Sequence, residues 1–223
     1  MAEHESRRFI FPKWSNLLRP GLAAALLGGP AYLAVVGYYG GAPRTTDVGY
    51  TPKQPVPYSH ALHAGQLGID CRYCHFSVEK TGFAAVPPTQ VCMGCHTNVR
   101  ATSPKLQLVR DSAATGFPME WVKVHDLPDY VYFNHSAHVR RGVGCISCHG
   151  RVDRMEEVGQ VERLSMGWCL ECHRAPDKHL RPPEFVTQMD WSPPNNESRV
   201  EFGARLRQQN GIAPPEDCSA CHR

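Results

Sequence analysis

This 223-residue sequence lacks an excess of charge of either sign: 24 Lys and Arg stand against 21 Asp and Glu. Basic patches interleaved with aromatics are also missing, and the basic residues are scattered. That excludes the electrostatic footprint of a nucleic-acid binder. Proline and glycine number 19 each, high for a compact helical domain. No cysteine is spare either. All ten belong to one pentapeptide, Cys-x-x-Cys-His, written five times.

The five copies are Cys71-x-x-Cys74-His75, Cys92-x-x-Cys95-His96, Cys145-x-x-Cys148-His149, Cys169-x-x-Cys172-His173 and Cys218-x-x-Cys221-His222. Two thiols at this spacing can be alkylated by the two vinyl groups of one haem, and the next imidazole then lies under the iron. Zinc sites use paired Cys-x-x-Cys motifs without needing a histidine directly after each. Disulfides impose no such rule. The cysteines therefore predict five covalent c-type haems, with His75, His96, His149, His173 and His222 as the near-side iron ligands. About 36 residues would wrap each macrocycle, since 182 residues follow residue 41. The expected fold is that of a multihaem cytochrome c: short α-helices and loops around five haems, little sheet and one N-terminal transmembrane helix. Covalent haem attachment also implies an exported domain.

Residues 1–20 are polar and basic, with Arg7, Arg8, Lys13 and Arg19. Gly21 to Gly41 carries no charge, and as a helix would span about 31 Å, the thickness of a bilayer core. Residues 1–20 are read as cytoplasmic, 21–41 as an uncleaved anchor in the bacterial inner membrane, and the haem domain as periplasmic. His4, on the cytoplasmic side, is given no ligand role. Small residues recur every four along the anchor, at Gly21, Ala25, Gly29, Gly37 and Gly41, with Leu33 breaking the row; such rows let membrane helices approach closely.

Residues 42–57 read as a Pro-rich tether, and 58–223 as the pentahaem domain. Within it, Tyr58-Ser-His60-Ala-Leu-His63 precedes Cys71 as Phe133-Asn-His135-Ser-Ala-His138 precedes Cys145. Each is aromatic, polar, His, x, x, His, followed by two attachment sites. The repeat units are 58–96 and 133–173, and the fifth site at 218–222 has no His pair of its own. Val122, Val124, Val131 and Phe133 suggest short extended pieces. The long Pro- and Arg-rich stretch after Cys169 is read as partner-contacting, and residues 199–208 as one surface helix.

Five irons need five far-side ligands. His60, His63, His135 and His138 supply four. The fifth comes from His125, His179 or a methionine. Met166 lies only three residues from Cys169, whereas Met155 lies fourteen before it, enough to cross the fourth haem. A thioether would also raise that haem's potential. Met155 is therefore chosen, with His125, Met166 and His179 as alternatives.

The His-x-x-His unit followed by Cys-x-x-Cys-His resembles class III multihaem cytochromes over residues 58–96 and 133–173. In that class the first histidine tends to ligate the following haem and the second a different one. Residues 124–138, 148–155 and 164–174, with five sites and one N-terminal helix, make the whole chain resemble the pentahaem subunit of alternative complex III, a bacterial quinol-oxidising assembly. The resemblance implies an iron–sulfur subunit related to molybdoenzyme components, polytopic quinol-binding membrane subunits and a monohaem cytochrome c as partners. It implies electron relay from quinol oxidation to a periplasmic cytochrome or a terminal oxidase, by a subunit that is not itself the enzyme. Three other readings stand beside it. One is a multihaem reductase with an open haem, and another is the electron-transfer subunit of another membrane-bound molybdoenzyme-like complex. The third is a small quinol dehydrogenase whose anchor touches quinol directly.

Overall fold

The computed structural model describes residues 12–40 and 47–222. His4, Gly41 and the first residues of the tether lie outside them. The chain divides into two units, Met1–Thr45 and Thr46–Arg223.

In the first unit a 3-10 turn, Lys13–Leu17, runs into α1, Leu18–Gly40. Among the described residues this is the one helix long and apolar enough to cross a membrane: Trp14–Gly40 spans 27 residues with a mean hydropathy of 1.5. It starts before Gly21 because Pro20 falls in the first turn, where a missing N–H costs nothing. Arg19 is thereby drawn into the helix. Pro30 sits mid-helix and leaves the carbonyl of Leu26 without its usual donor. A backbone group of that kind must be satisfied locally or by a neighbour inside a bilayer.

The second unit contains α2 (Cys71–Cys74), α3 (Thr89–His96), α4 (Gln107–Thr115), α5 (His135–Arg140), α6 (Ile146–His149), α7 (Met166–Arg174), α8 (Arg199–Gln209) and α9 (Cys218–Cys221). A single π turn, Ala61–Gln66, follows His60. Helices of four residues are not stable alone, and local capping helps to define them. Asp70, Asn134, Ser165 and Asp217 each accept a backbone N–H from the first turn, opening α2, α5, α7 and α9. Three of these four helices carry attachment cysteines.

Among the described residues no two strands pair, and one isolated antiparallel bridge joins Val143 to Leu180. The extended pieces expected around Val122 form no ladder. There the Gln54 side chain takes the place of a strand, its amide giving to the Val122 carbonyl (2.8 Å) and taking the Val122 N–H (2.9 Å). The later part of the tether is pinned as well. Gly49 donates to the Gln160 carbonyl (2.7 Å), Gln160 donates to Tyr50 (3.0 Å), and Val56 is buried.

The apolar side chains build a thin core: Val56, Val109, Val139, Leu180, Val186, Met189, Phe202 and Ile212. Half of these lie between residues 180 and 202. The stretch read as partner-contacting is thus in part an interior clamp. The Cys145 N–H donates to Val186 (2.9 Å) and the Arg181 N–H to Gly142 (2.9 Å). α8 closes over the clamp with Phe202 and Gly203 buried. A methyl group at Gly203 would run into the Asp177 carbonyl, so this contact requires glycine. The helix expected over 199–208 is therefore present, with one face packed.

Candidate haem sites

The five Cys-x-x-Cys-His motifs lie on α2, α3, α6, α7 and α9 or at their ends. All ten cysteines are unpaired. No three His, Cys, Asp or Glu side chains converge on one point among the described residues, so the thiols do not form zinc tetrads. Burial pushes the Cys71 thiol up to about 11 and Cys148 up to about 12. Both are neutral thiols at neutral pH.

The imidazoles share a pattern that fits an iron ligand. Four near-side rings donate Nδ1–H to backbone carbonyls: His75 to Ala85 (2.9 Å), His96 to Val99 (2.9 Å), His173 to Pro215 (2.6 Å) and His222 to Tyr130 (3.1 Å). Three of the rings expected on the far side do the same: His63 to Ser59 (2.8 Å), His135 to Gly82 (3.0 Å) and His138 to Asn134 (2.8 Å). A carbonyl can only accept, so Nδ1 holds the proton and Nε2 keeps its lone pair free for a metal. Burial lowers the pKa of His125, His135 and His138. Burial first, then His75 and His63, brings His60 down to about 4; burial, then His125 and His135, brings His149 to about 3. All stay neutral at neutral pH, the form that ligates.

The rings also pair across space. His63 faces His96 with centroids 6.2 Å apart, His138 faces His173 at 6.1 Å, and His135 faces His149 at 6.5 Å. Two metal–nitrogen bonds of about 2 Å, plus the two ring radii, put opposed imidazoles about 6 Å apart. The three pairs therefore fit an iron between them. His60 lies near His75, within reach of its charge, and its Nδ1 is buried without a hydrogen-bond partner.

His125 is placed differently. Its ring lies 4.4 Å from His149 at 77°, too close to oppose it across one iron, and its Nε2 is buried without a partner. Met155 is half-buried, and its carbonyl takes the Ala61 N–H (2.9 Å) beside the first site. Met166 is 61% exposed at the start of α7. His179 is half-buried, and its carbonyl receives the Gly144 N–H (3.3 Å).

The structure explains the aromatic-polar-His-x-x-His pattern, whose first two positions carried no assigned role. Tyr58 meets His60 edge-on (4.8 Å, 85°) and stacks on His63 (4.4 Å, 22°). Phe133 meets His135 edge-on (4.7 Å, 87°) and stacks on His138 (4.5 Å, 29°). The polar residue bonds the next turn: Leu62 N–H gives to Ser59 Oγ, and Ala137 N–H to Asn134 Oδ1. Each aromatic thus holds the ring plane of the second histidine, and each polar residue holds the turn that presents both.

Residues 131–223 match the sequence family described as cytochrome c7 and related cytochrome c. Residues 131–223 are therefore those of a multihaem cytochrome c domain. Its cofactor is c-type haem. The multihaem cytochrome c subunit of a menaquinone reductase from Nitratidesulfovibrio vulgaris strain Hildenborough is 34% identical to this cytochrome over 98 residues. That alignment covers 44% of this chain and 46% of the relative. The cytochrome described here therefore spans about half the length of the curated relative that it matches.

Proposed function

We propose that this cytochrome is the electron-transfer subunit of a membrane-bound quinol oxidoreductase of the alternative complex III type, carrying five covalent c-type haems. The opposed imidazole pairs support this reading most. A haem iron held from both faces has no open position for a substrate, which suits relay rather than catalysis. Bound haem supplies the one-electron couple, while the side chains fix its ligands and its electrostatic surroundings. In this reading His60 serves the site of His75, His63 that of His96, His135 that of His149 and His138 that of His173. α1 anchors the subunit in the inner membrane with the cytochrome domain on the periplasmic side. Electrons pass from quinol oxidation to a periplasmic cytochrome or terminal oxidase. The partners are an iron–sulfur, molybdoenzyme-like subunit, polytopic quinol-binding subunits and a monohaem cytochrome c. The menaquinone reductase relative supports a quinone-linked membrane complex. Solubilised gently and purified by a tag on this chain, the protein should bring these subunits with it. Recovery of the chain alone, or with a soluble reductase, would argue against the assignment.

With His138 on the fourth site, the fifth far-side ligand falls to the site of His222, and it is assigned to Met155. The oxidised protein should then show a weak sulfur-to-iron charge-transfer band at the red end of the visible spectrum, lost in Met155→His. The unpartnered, buried Nε2 of His125 favours a second reading, in which that imidazole ligates instead. The wild type would then have no such band, and His125→Ala would leave one haem high-spin.

A further inference from the structure

Arg181 is a cation where a protein rarely leaves one. Its residue is only 3% exposed. It makes no ion pair among the described residues. Nη1 donates to the Gln188 carbonyl (2.8 Å), the guanidinium lies 5.3 Å from the Trp191 ring centroid, and Nε is buried without a partner. Burial of a charge is costly unless something nearby uses it. Burial and then Arg199 push its pKa down, but a guanidinium remains charged at neutral pH.

Its position is built. Val143 bridges to Leu180, and Cys145 N–H is held by Val186. This clamp carries Arg181 back against residues 142–145. A methyl group at Gly144 would run into the guanidinium, and one at Gly142 into the Arg181 carbonyl. Gly142 has a φ of 82°, so its backbone also suits glycine. Two glycines thus make room for one arginine directly before the third attachment motif.

We propose that Arg181 is a positioning charge that raises the reduction potential of the haem attached at Cys145 and Cys148. Reduction of a ferric haem adds one electron and removes one positive charge. A fixed cation in a low-dielectric interior favours the reduced form. The sign is the same whether the guanidinium acts alone or against a haem carboxylate, because its loss removes one positive charge in both cases. The Arg181 N–H and Nη1 also hold the clamp, so the test must separate charge from packing.

The inference rests on haem attachment at this motif, and mass spectrometry of each variant checks that first. The full-length protein, purified from membranes, is titrated potentiometrically while visible absorption is followed. In Arg181→Gln, one midpoint should fall by at least a tenfold change in ferric-to-ferrous ratio, which is about 59 mV for one electron. The others should stay put. The component that moves should be the one missing from a Cys145→Ala, Cys148→Ala chain. Arg181→Lys should restore most of the shift. If Arg181→Gln loses haem, Gly144→Ala serves instead, since it displaces the guanidinium without removing it; the same midpoint should fall. Midpoints unchanged with all haems retained would overturn the proposal, as would an equal shift in the Lys and Gln variants. A motif that carries no haem in the wild type would instead overturn the reading on which it rests.

Discussion

Denatured and weighed intact, the mature protein is expected to exceed its polypeptide by five haem masses, and none of its ten cysteines should react with an alkylating reagent. The expectation follows from the motif and from its setting. Thioether formation consumes both thiols of a motif, so each loaded site removes two titratable sulfurs. The ten cysteines form no disulfides, and no ligand cluster competes for them among the described residues. Each motif starts or ends a short helix, so both thiols and the imidazole are presented from one turn. Replacing Cys169 and Cys172 with Ala should lower the mass by one haem beyond the change in side chains. A wild-type mass short of five, with a matching number of reactive thiols, would falsify the stoichiometry.

His138→Ala should convert one haem of the five from low spin to high spin and open it to carbon monoxide. His138 faces His173 at 6.1 Å. Its Nδ1–H is held by the Asn134 carbonyl and its ring by Phe133. Nε2 is therefore free and aimed by two contacts at once. Alanine removes the ligand without disturbing the covalent link at Cys169 and Cys172, so haem content should not change. The low-spin signal should drop by about one fifth, and carbon monoxide should bind at one site per chain. His179→Ala is the control, because His179 joins the clamp through its backbone carbonyl. A His138→Ala protein that stays fully low-spin and ignores carbon monoxide would detach His138 from the fourth site.

Some of this architecture is written locally. Attachment needs two thiols and an imidazole in five consecutive residues, so the motifs can be read without any fold. The apolar helix is equally local, because a membrane span depends on length and the absence of charge. The repeated aromatic-polar-His-x-x-His unit is visible for the same reason, since its capping and stacking contacts lie within a few residues. The helix expected over 199–208 is present as α8, where the Ser198 side chain accepts the Glu201 N–H at its start.

Ring pairing is another matter. His138 and His173 are 35 positions apart, and His63 and His96 are 33 apart; nothing in a linear pattern sets which turns face each other. The carbonyls of Ala85, Val99, Pro215 and Tyr130 orient near-side imidazoles, yet every residue type carries a carbonyl, so no residue type betrays them. The stretch around Val122 has the composition of a strand but no strand beside it, and Gln54 bonds it instead. Arg181 reads in the sequence as one more surface cation in a proline-rich loop. Only the return of that loop against Gly142 and Gly144 buries it, because a charge's environment is set by what the chain packs around it and not by its neighbours in sequence.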